Sequence, residues 1–273
     1  MKSFFFVPGT KLDKLSKIKA LGVDEIIIDM EDSVLEAERM ALSKVIIDNA
    51  SKYKENWVRL PLRNLFSEPC NYKFLELFAE KGFRKLVIPK LKSSKEFKKL
   101  YKYIAQYPNV SVILLIEHPK LLLQLDKVLN YDSLDIIKGM GIGSHDLLAH
   151  IGAKHNKTQL AFPRFLVLYY AKAYHKKSFD IASMNIKNDK AFKEEVINGV
   201  ESGFDAKFLI HPKQVKWLKE CLSANEVELL WAQKIIGSLP KEFQGSEVEP
   251  YILDGEIIEK PHIEKARKIL GKN

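Results

Sequence analysis

Short apolar runs alternate with amphipathic stretches along most of the chain, and the two periods predict strands and helices in turn. Residues 3–7, 25–29, 57–60 and 85–88 read as strands, each closed by a turn or charged residue. Between them, apolar spacing of three and four predicts helices over 12–21, 39–51 and 74–81, the first stopped by Gly22. The stretch 110–147 carries two strong runs, VSVILLIE and LDIIKGMGIGSHDL, and these close on Glu117 and Asp146. Continuous apolar runs of this length predict strands covered on both faces, as parallel strands are. The intervening PKLLLQLDKVLNYDS predicts one helix. A helix over 163–174, a strand over 179–184, a helix over 189–202 and a strand over 207–210 complete eight β-then-α units.

Eight such units without a glycine-rich dinucleotide turn predict an α/β protein, a closed (β/α)8 TIM barrel over residues 1–215. A doubly wound open sheet is the alternative and requires a reversal of strand order. Residues 216–273 are expected to form a C-terminal extension. Helices are predicted over 214–221 and 226–236, a polar linker over 238–250, then a hairpin and a last amphipathic helix. A barrel does not need this tail, which packs either on its own barrel or on a neighbouring subunit.

With 46% hydrophobic residues the chain can bury a sizeable core. Its net charge of +9, from 44 basic against 35 acidic residues, comes from Lys scattered over predicted helices, Lys92, Lys95 and Lys98 among them. Scattered Lys describes solvated faces and admits a polyanionic small ligand more readily than a nucleic-acid groove. No recognition-helix or zinc-finger pattern supports a nucleic-acid partner. Cys70 and Cys221 lack CxxC spacing, so neither a disulfide framework nor a thiolate metal site is indicated. No apolar run approaches the ~18 residues of a membrane span, and MKSFFFVPG is too short for a signal peptide's apolar region. A cytoplasmic protein without a membrane partner is the expectation.

Barrels place their chemistry just after the strands. There the sequence puts Pro8, Gly9, Glu31, Asp32, Arg59, Lys90, Glu117, Gly143, Ser144, Asp146, Asp180 and His211. Parallel neighbours would bring Glu117 and Asp146 to one sheet edge, where two hard oxygen ligands can share a divalent cation. Oxygen ligation without Cys or paired His favours Mg²⁺, with Mn²⁺ possible, over Zn²⁺. Each acid also has a plain reading as a helix cap. Arg59 is either a strand-end ion pair or a bidentate clamp for a carboxylate or developing enolate. Glu31 and Asp32 suit orienting metal-bound water and Arg59, although Asp32 or Ser33 can also cap the next helix. Lys90 reads equally as a ligand contact or a solvated strand end. His145 and His211 read first as local hydrogen bonders in turns.

Taken in order, SFFFVPGTKLDKLSKI, VDEIIIDMEDSV, WVRL, LVIPK, LIE, GIGSHDL, FPR and GFDAKFLIHPKQV resemble the citrate lyase beta-subunit-like family. These are CoA-ester lyases of the aldolase and citrate lyase group. The tail segment DGEIIEKP resembles that family's terminal motif. The resemblance implies a Mg²⁺-dependent barrel, often a homotrimer, that cleaves or forms a C–C bond beside a CoA thioester, such as citryl-CoA or malyl-CoA, with a 2-keto acid as partner. It implies that Glu117 and Asp146 bind the metal and that Arg59 holds the keto-acid or enolate oxygen. Pro8, Gly9, Lys90, Gly143 and Ser144 are the expected substrate contacts. Arg59, Glu31, Asp32 and Glu259 are the expected catalytic set, Glu259 standing where the family has an acid that reaches into the next subunit's barrel. A pyruvate-enolate aldolase without CoA, or a catalytically weak barrel serving as a complex subunit, are the competing readings. Three departures are visible: Arg39 and Ser43 stand in the family's Lys and Arg positions after the Glu-Asp pair, Lys2 replaces an Arg, and Glu259 replaces an Asp with Ile257 in place of Met.

Overall fold

A computed structural model describes residues 1–223, 226–239 and 249–271 of the chain. Eight parallel strands close a barrel in sequence order: β1 (Lys2–Pro8), β2 (Glu25–Asp29), β3 (Trp57–Arg59), β4 (Lys85–Ile88), β5 (Ser111–Ile116), β6 (Ile137–Ile142), β7 (Lys177–Asp180) and β8 (Ala206–Leu209). Closure is made by β8 on β1, with Phe4 opposite Phe208. The helices between the strands are α1 (Leu15–Ala20), α2 (Glu36–Asp48), α3 (Ala50–Tyr53), α4 (Lys73–Glu80), α5 (Ser94–Ile104), α6 (Pro119–Leu122), α7 (Leu125–Leu129), α8 (Ser144–His150), α9 (Lys157–Ala173) and α10 (Asp189–Glu201), and α11 (Pro212–Ser223) follows β8. The TIM barrel expected from the alternation is therefore present, and the open sheet is excluded by the β1–β8 pairing.

The barrel interior is packed by side chains from alternating strand positions, Phe4, Ile27, Ile113, Phe179 and Phe208 among them. Phe179 stacks on Phe208 at 5.0 Å and meets Phe4 edge-on at 4.7 Å. These rings explain the glycines that interrupt the apolar run of β6. A Cβ at Gly139 would strike the Phe179 ring, and one at Gly141 would strike Phe208. Two matching clasps pin the opposite barrel end. Asp24 takes the amide and hydroxyl of Ser3 at 2.8 and 2.6 Å, and Asp205 takes those of Ser178 at 2.8 Å each.

Four predicted elements are corrected. The helix expected over 12–21 begins as a 3-10 segment, Gly9–Lys14, before α1. The single helix expected between β5 and β6 is two, because Gln124 leaves helical geometry at φ −121°, ψ 18°. Its side-chain oxygen accepts the Ser94 amide at 3.0 Å and hydroxyl at 2.9 Å, a tertiary contact that breaks the helix. The helix expected from residue 163 starts at Lys157, because Asn156 caps it by accepting the Gln159 amide at 3.0 Å, leaving Pro163 inside. The strand expected over 179–184 is Lys177–Asp180: Ser178 is held by Asp205, and the chain leaves the sheet after Asp180.

The chain divides into two compact units, Met1–Leu218 and Lys219–Asn273, the boundary falling within α11. In the second, α12 (Glu226–Ser238), β9 (Tyr251–Leu253), β10 (Glu256–Ile258) and α13 (Lys260–Ile269) enclose a small core of Ala232, Ile235, Ile258, Ile263 and Ala266. Asp254 and Gly255 join the strands with φ of 52° and 85°, the double positive φ of a type I′ hairpin turn. The linker expected over 238–250 lies largely outside the described residues.

Candidate active site

A cavity of about 500 Å³ opens at the C-terminal ends of the strands. Phe6, Leu115 and Phe208 give it an apolar floor, while Asp29, Asp32, Arg59, Glu117 and Asp146 supply charge. Each charged group arrives by chain direction: Asp29 and Arg59 end β2 and β3, Glu117 follows β5, and Asp146 sits in the first turn of α8 after β6.

Arg59 is fixed before any ligand is considered. Its Nε and Nη2 donate to the two carboxylate oxygens of Asp29, at 2.6 Å each. Its Nη1 stands 3.1 Å from Glu31 Oε2 and 3.1 Å from Asp32 Oδ2. The guanidinium carbon lies over the Phe6 ring, 5.1 Å from its centre. Burial opposes this charge, yet Asp29 outweighs it and raises the Arg59 pKa. In the sequence Asp29 is only the end of an apolar run. Its role depends on β2 and β3 pairing so that Asp29 lies opposite Arg59.

Lys90 is the second cation, and the structure buries it rather than leaving it solvated. Its Nζ pairs with Glu31 Oε1, reaches Asp32 Oδ1 at 2.9 Å, and stands 3.6 Å from Asp146 Oδ2. Its backbone is left-handed, φ 54°, which costs a non-glycine residue roughly 1 kcal/mol or more. That turn aims the Lys90 amide at Glu117 Oε2, 2.8 Å away. Burial lowers a lysine, but Glu31 and Asp32 prevail and hold Lys90 above its usual range.

The acids differ sharply. Glu31 is fully buried, and neither carboxylate oxygen completes a well-formed hydrogen bond despite the flanking cations. Burial pushes its carboxyl up to about 7, with Asp32 adding repulsion and Arg59 and Lys90 offsetting only part. Glu117 is raised well above its ordinary value by burial and by the charge of Glu31. Asp32, more open to water, is the exception: burial would raise it, but Arg59 and Lys90 hold it low. Arg39 braces the segment carrying this pair, donating Nη2 to the Glu31 carbonyl at 3.0 Å and Nε to the Val34 carbonyl at 3.3 Å. Ser43, one turn on, buries its hydroxyl without a partner.

The donor set fits a hard cation. Among the described residues no three His, Cys, Asp or Glu side chains form a ready-made cage. Glu117 and Asp146 together line the cavity, and Asp146 adds to the repulsion on Glu117. A buried carboxylate kept costly by neighbouring acids gains from a divalent ion, and Mg²⁺ characteristically takes one or two carboxylates and completes its shell with water and substrate oxygens. Gly143 leaves room for this arrangement, because a Cβ there would strike the Glu117 carboxylate.

The remaining expected residues separate. Pro8, Gly143 and Ser144 line the cavity. Gly9 instead packs against Met30, Leu42 and the Asp29 carbonyl, a place where a Cβ does not fit. His145 stacks on His155 at 4.0 Å, and His211 accepts the Lys213 amide on Nδ1 at 3.2 Å as a turn residue. Asp180 is buried and held by Arg164 Nε at 2.6 Å and Lys207 Nζ at 3.2 Å. Glu259, in the second unit, is the exposed N-cap of α13, in a capping box with His262 whose Nδ1 accepts the Glu259 amide at 3.0 Å. Ala182 and Met184 also line the cavity after β7, although their apolar spacing predicts more strand.

A parallel eight-stranded barrel with acids and two fixed cations at its mouth belongs to the enzyme-bearing class of such barrels. The chain belongs to the HpcH/HpaI aldolase/citrate lyase family, whose model matches residues 2–212. It is 27% identical over 277 residues to a (3S)-malyl-CoA thioesterase of Cereibacter sphaeroides, covering 99% of this chain and 94% of that protein. It is 25% identical to the citrate lyase subunit beta of Haemophilus influenzae, covering 99% and 96%. Among solved structures, the CitE protein of Mycobacterium tuberculosis in complex with magnesium, acetoacetate and coenzyme A superposes with a TM-score of 0.81 at 22% identity, covering 99% of this chain and 97% of that one.

Proposed function

We propose that this protein is a Mg²⁺-dependent carbon–carbon lyase acting on a 3-hydroxyacyl-CoA of the citryl-CoA or malyl-CoA type, with a 2-keto acid and an acyl-CoA as the other side of the reaction. The observation that carries the reading is the pairing of Glu117 and Asp146 with an arginine already locked in orientation by Asp29. Relatives named for malyl-CoA and citrate, and a structural neighbour holding magnesium, a keto acid and coenzyme A, support it.

Mg²⁺ held by Glu117 and Asp146 would supply a Lewis acid for the substrate's oxygens. Arg59 presents Nη1 to the keto or enolate oxygen, which would share it with Asp32 and Glu31, while Nε and Nη2 are committed to Asp29. Glu31 and Asp32 keep both Arg59 and Lys90 at the mouth. In the cleavage direction the hydroxyl proton passes to solvent water, its electron pair forms the new carbonyl as the adjacent C–C bond breaks, and the C–C electron pair remains beside the thioester as an enolate. An acid then returns a proton to that carbon. Glu259 is our candidate for it, working from one copy of the chain into the next within a homo-oligomer such as a trimer.

A thermal-shift screen with Mg²⁺ and acetyl-CoA, oxaloacetate, glyoxylate or pyruvate tests the reading. A ligand at ~100 times its dissociation constant adds about 2.7 kcal/mol, a readily measured shift. We expect stabilisation by a keto acid and by a CoA ester. Stabilisation by pyruvate but by no CoA ester would assign the chain to aldolase chemistry instead. Product analysis separates cleavage, which yields a keto acid, from hydrolysis of the thioester, which does not.

A further inference from the structure

A serine and a histidine meet at the edge of the mouth, with no part in the lyase chemistry proposed above. Ser144 Oγ and His155 Nε2 stand 2.9 Å apart, although the residues are 11 positions apart in the chain. Ser144 opens α8 and lines the cavity together with Glu117, Asp146 and Arg59. His155 lies just ahead of α9, on the far side of the same wall.

A serine hydroxyl is a weak nucleophile by itself, and a histidine nitrogen within hydrogen-bond reach is what activates it. Here the base is fixed in place. The His155 ring lies flat on His145, with centres 4.0 Å apart and 12° between the planes, while Nε2 meets the hydroxyl. Burial and the neighbouring His145 lower the His155 pKa, so the ring is neutral near pH 7 and free to take a proton. Glu195, held by Asn185 Nδ2 at 2.9 Å, acts the other way and favours the imidazolium once the proton has moved. Ser144 is nearly buried, which keeps its hydroxyl on the imidazole rather than on bulk water.

We infer that Ser144 and His155 form a second catalytic pair, which hydrolyses an acyl thioester by acyl transfer through Ser144. Ser144 Oγ bonds to the thioester carbonyl carbon as its proton passes to His155 Nε2. The C–S bond breaks, and the thiolate leaves with the proton returned by His155. Water then attacks the acyl-serine and gives a proton to His155, the C–O bond to Ser144 breaks, and His155 returns that proton to Oγ. The sum is thioester plus water giving acid plus thiol. The inference rests on the function proposed above only for the acyl donor, a CoA thioester, and it adds a reaction that makes no keto acid.

Two readouts on the full chain separate this pair from the lyase site. A fluorophosphonate forms a P–O bond to an activated serine with loss of fluoride, and needs neither CoA nor Mg²⁺. Thiol release from acetyl-CoA reads hydrolysis alone, because that ester has no hydroxyl from which carbon–carbon cleavage could start. The variants are Ser144→Ala and His155→Phe, the second keeping a ring against His145 while removing both nitrogens. Wild type should be labelled on Ser144, located by peptide mass, and His155→Phe should label at least ~10²-fold more slowly. Acetyl-CoA hydrolysis should fall at least ~10²-fold in both variants. His155→Phe should keep the wild-type melting temperature and the Mg²⁺-dependent release of keto acid from malyl-CoA. An unlabelled Ser144 in wild type, equally fast labelling in His155→Phe, or unchanged hydrolysis in either variant would overturn the inference. Labelling as expected, with malyl-CoA cleaved and acetyl-CoA untouched, would overturn the hydrolysis. Labelling with neither ester turned over would instead remove the CoA reading of the mouth.

Discussion

Arg59 and Asp29 hold one another through two hydrogen bonds of 2.6 Å, Nε to Oδ1 and Nη2 to Oδ2. Both side chains are nearly buried, at 11% and 6% exposure, so neither charge is easily satisfied by water if the other is removed. Asp29→Ala is therefore expected to destabilise the fold by about 3 kcal/mol or more, read by urea unfolding. Because the pair fixes a planar fork, Arg59→Lys should lower turnover nearly as much as Arg59→Ala, about 10²-fold in each case. Near-normal turnover with Lys would reduce Arg59 to a simple charge.

The two carboxylates assigned to the metal are not equivalent in the fold. Glu117 is 2% exposed, whereas the Asp146 side chain is 38% exposed. Glu117→Gln and Asp146→Asn should each abolish Mg²⁺ binding in isothermal titration. Only Glu117→Gln should stabilise the metal-free protein, because it removes a buried carboxyl that folding must keep protonated, and each unit by which a carboxyl is raised corresponds to about 1.4 kcal/mol. Unchanged Mg²⁺ affinity in both variants would remove the metal assignment. A gain from Asp146→Asn rather than Glu117→Gln would contradict the burial argument.

The barrel was legible in the sequence because its strands are continuous apolar runs, and a continuous run has few alternatives once eight recur between helices. What escaped depended on closure. Gln124 breaks a helix only because Ser94 is there to take its side chain. Lys177 and Ser178 begin β7 although they look polar, because Asp205 satisfies Ser178 from the next unit. At the site, charged residues at strand ends were visible, but their partnerships were not. Lys90 could not be read as buried without knowing that Glu31, Asp32 and Asp146 converge on it. Asp29 looked like the last residue of a strand, and register alone sets it opposite Arg59.

Glu31 gives the pH dependence a definite sign. Its carboxyl moves from the ordinary 4.5 in the unfolded chain to about 7 in the fold. Between those values the folded protein keeps a proton that the unfolded chain has released. The stability linked to this group is complete below about pH 4.5 and is lost as pH rises to about 7. Glu117, raised by burial, acts in the same direction. Unfolding in EDTA should therefore show stability falling between pH 5 and pH 7, by no more than about 1.4 kcal/mol per pH unit for each group. Glu31→Gln should flatten the curve. Burial lowers His118 and His155, which act in the opposite direction, so the Glu31 contribution is read as the difference between the two curves, and equal slopes in wild type and Glu31→Gln would show that Glu31 stays ionised in the fold.

Glu259 faces two demands, and a shorter acid would meet both better. As the N-cap of α13 it sits in a capping box with His262, yet Glu is a poorer cap than Asp, whose shorter side chain reaches the first-turn amides. As the acid proposed to return a proton in a neighbouring copy, it carries one methylene more than the Asp that the family resemblance implies. A misplacement of ~1 Å can cost about 10²-fold in rate. Glu259→Asp should thus raise both the melting temperature and the turnover, the first by improving the cap and the second by drawing the carboxylate back. Glu259→Gln should abolish turnover. Mixing Glu259→Gln subunits with Arg59→Ala subunits, the first inactive and the second down about 10²-fold alone, should recover activity above either homo-oligomer, because some mouths in a mixed oligomer then combine an intact Arg59 with an intact Glu259. Full activity in a Glu259→Gln homo-oligomer would leave Glu259 as a helix cap and nothing more, and a Glu259→Asp variant that gains stability without gaining turnover would lead to the same conclusion.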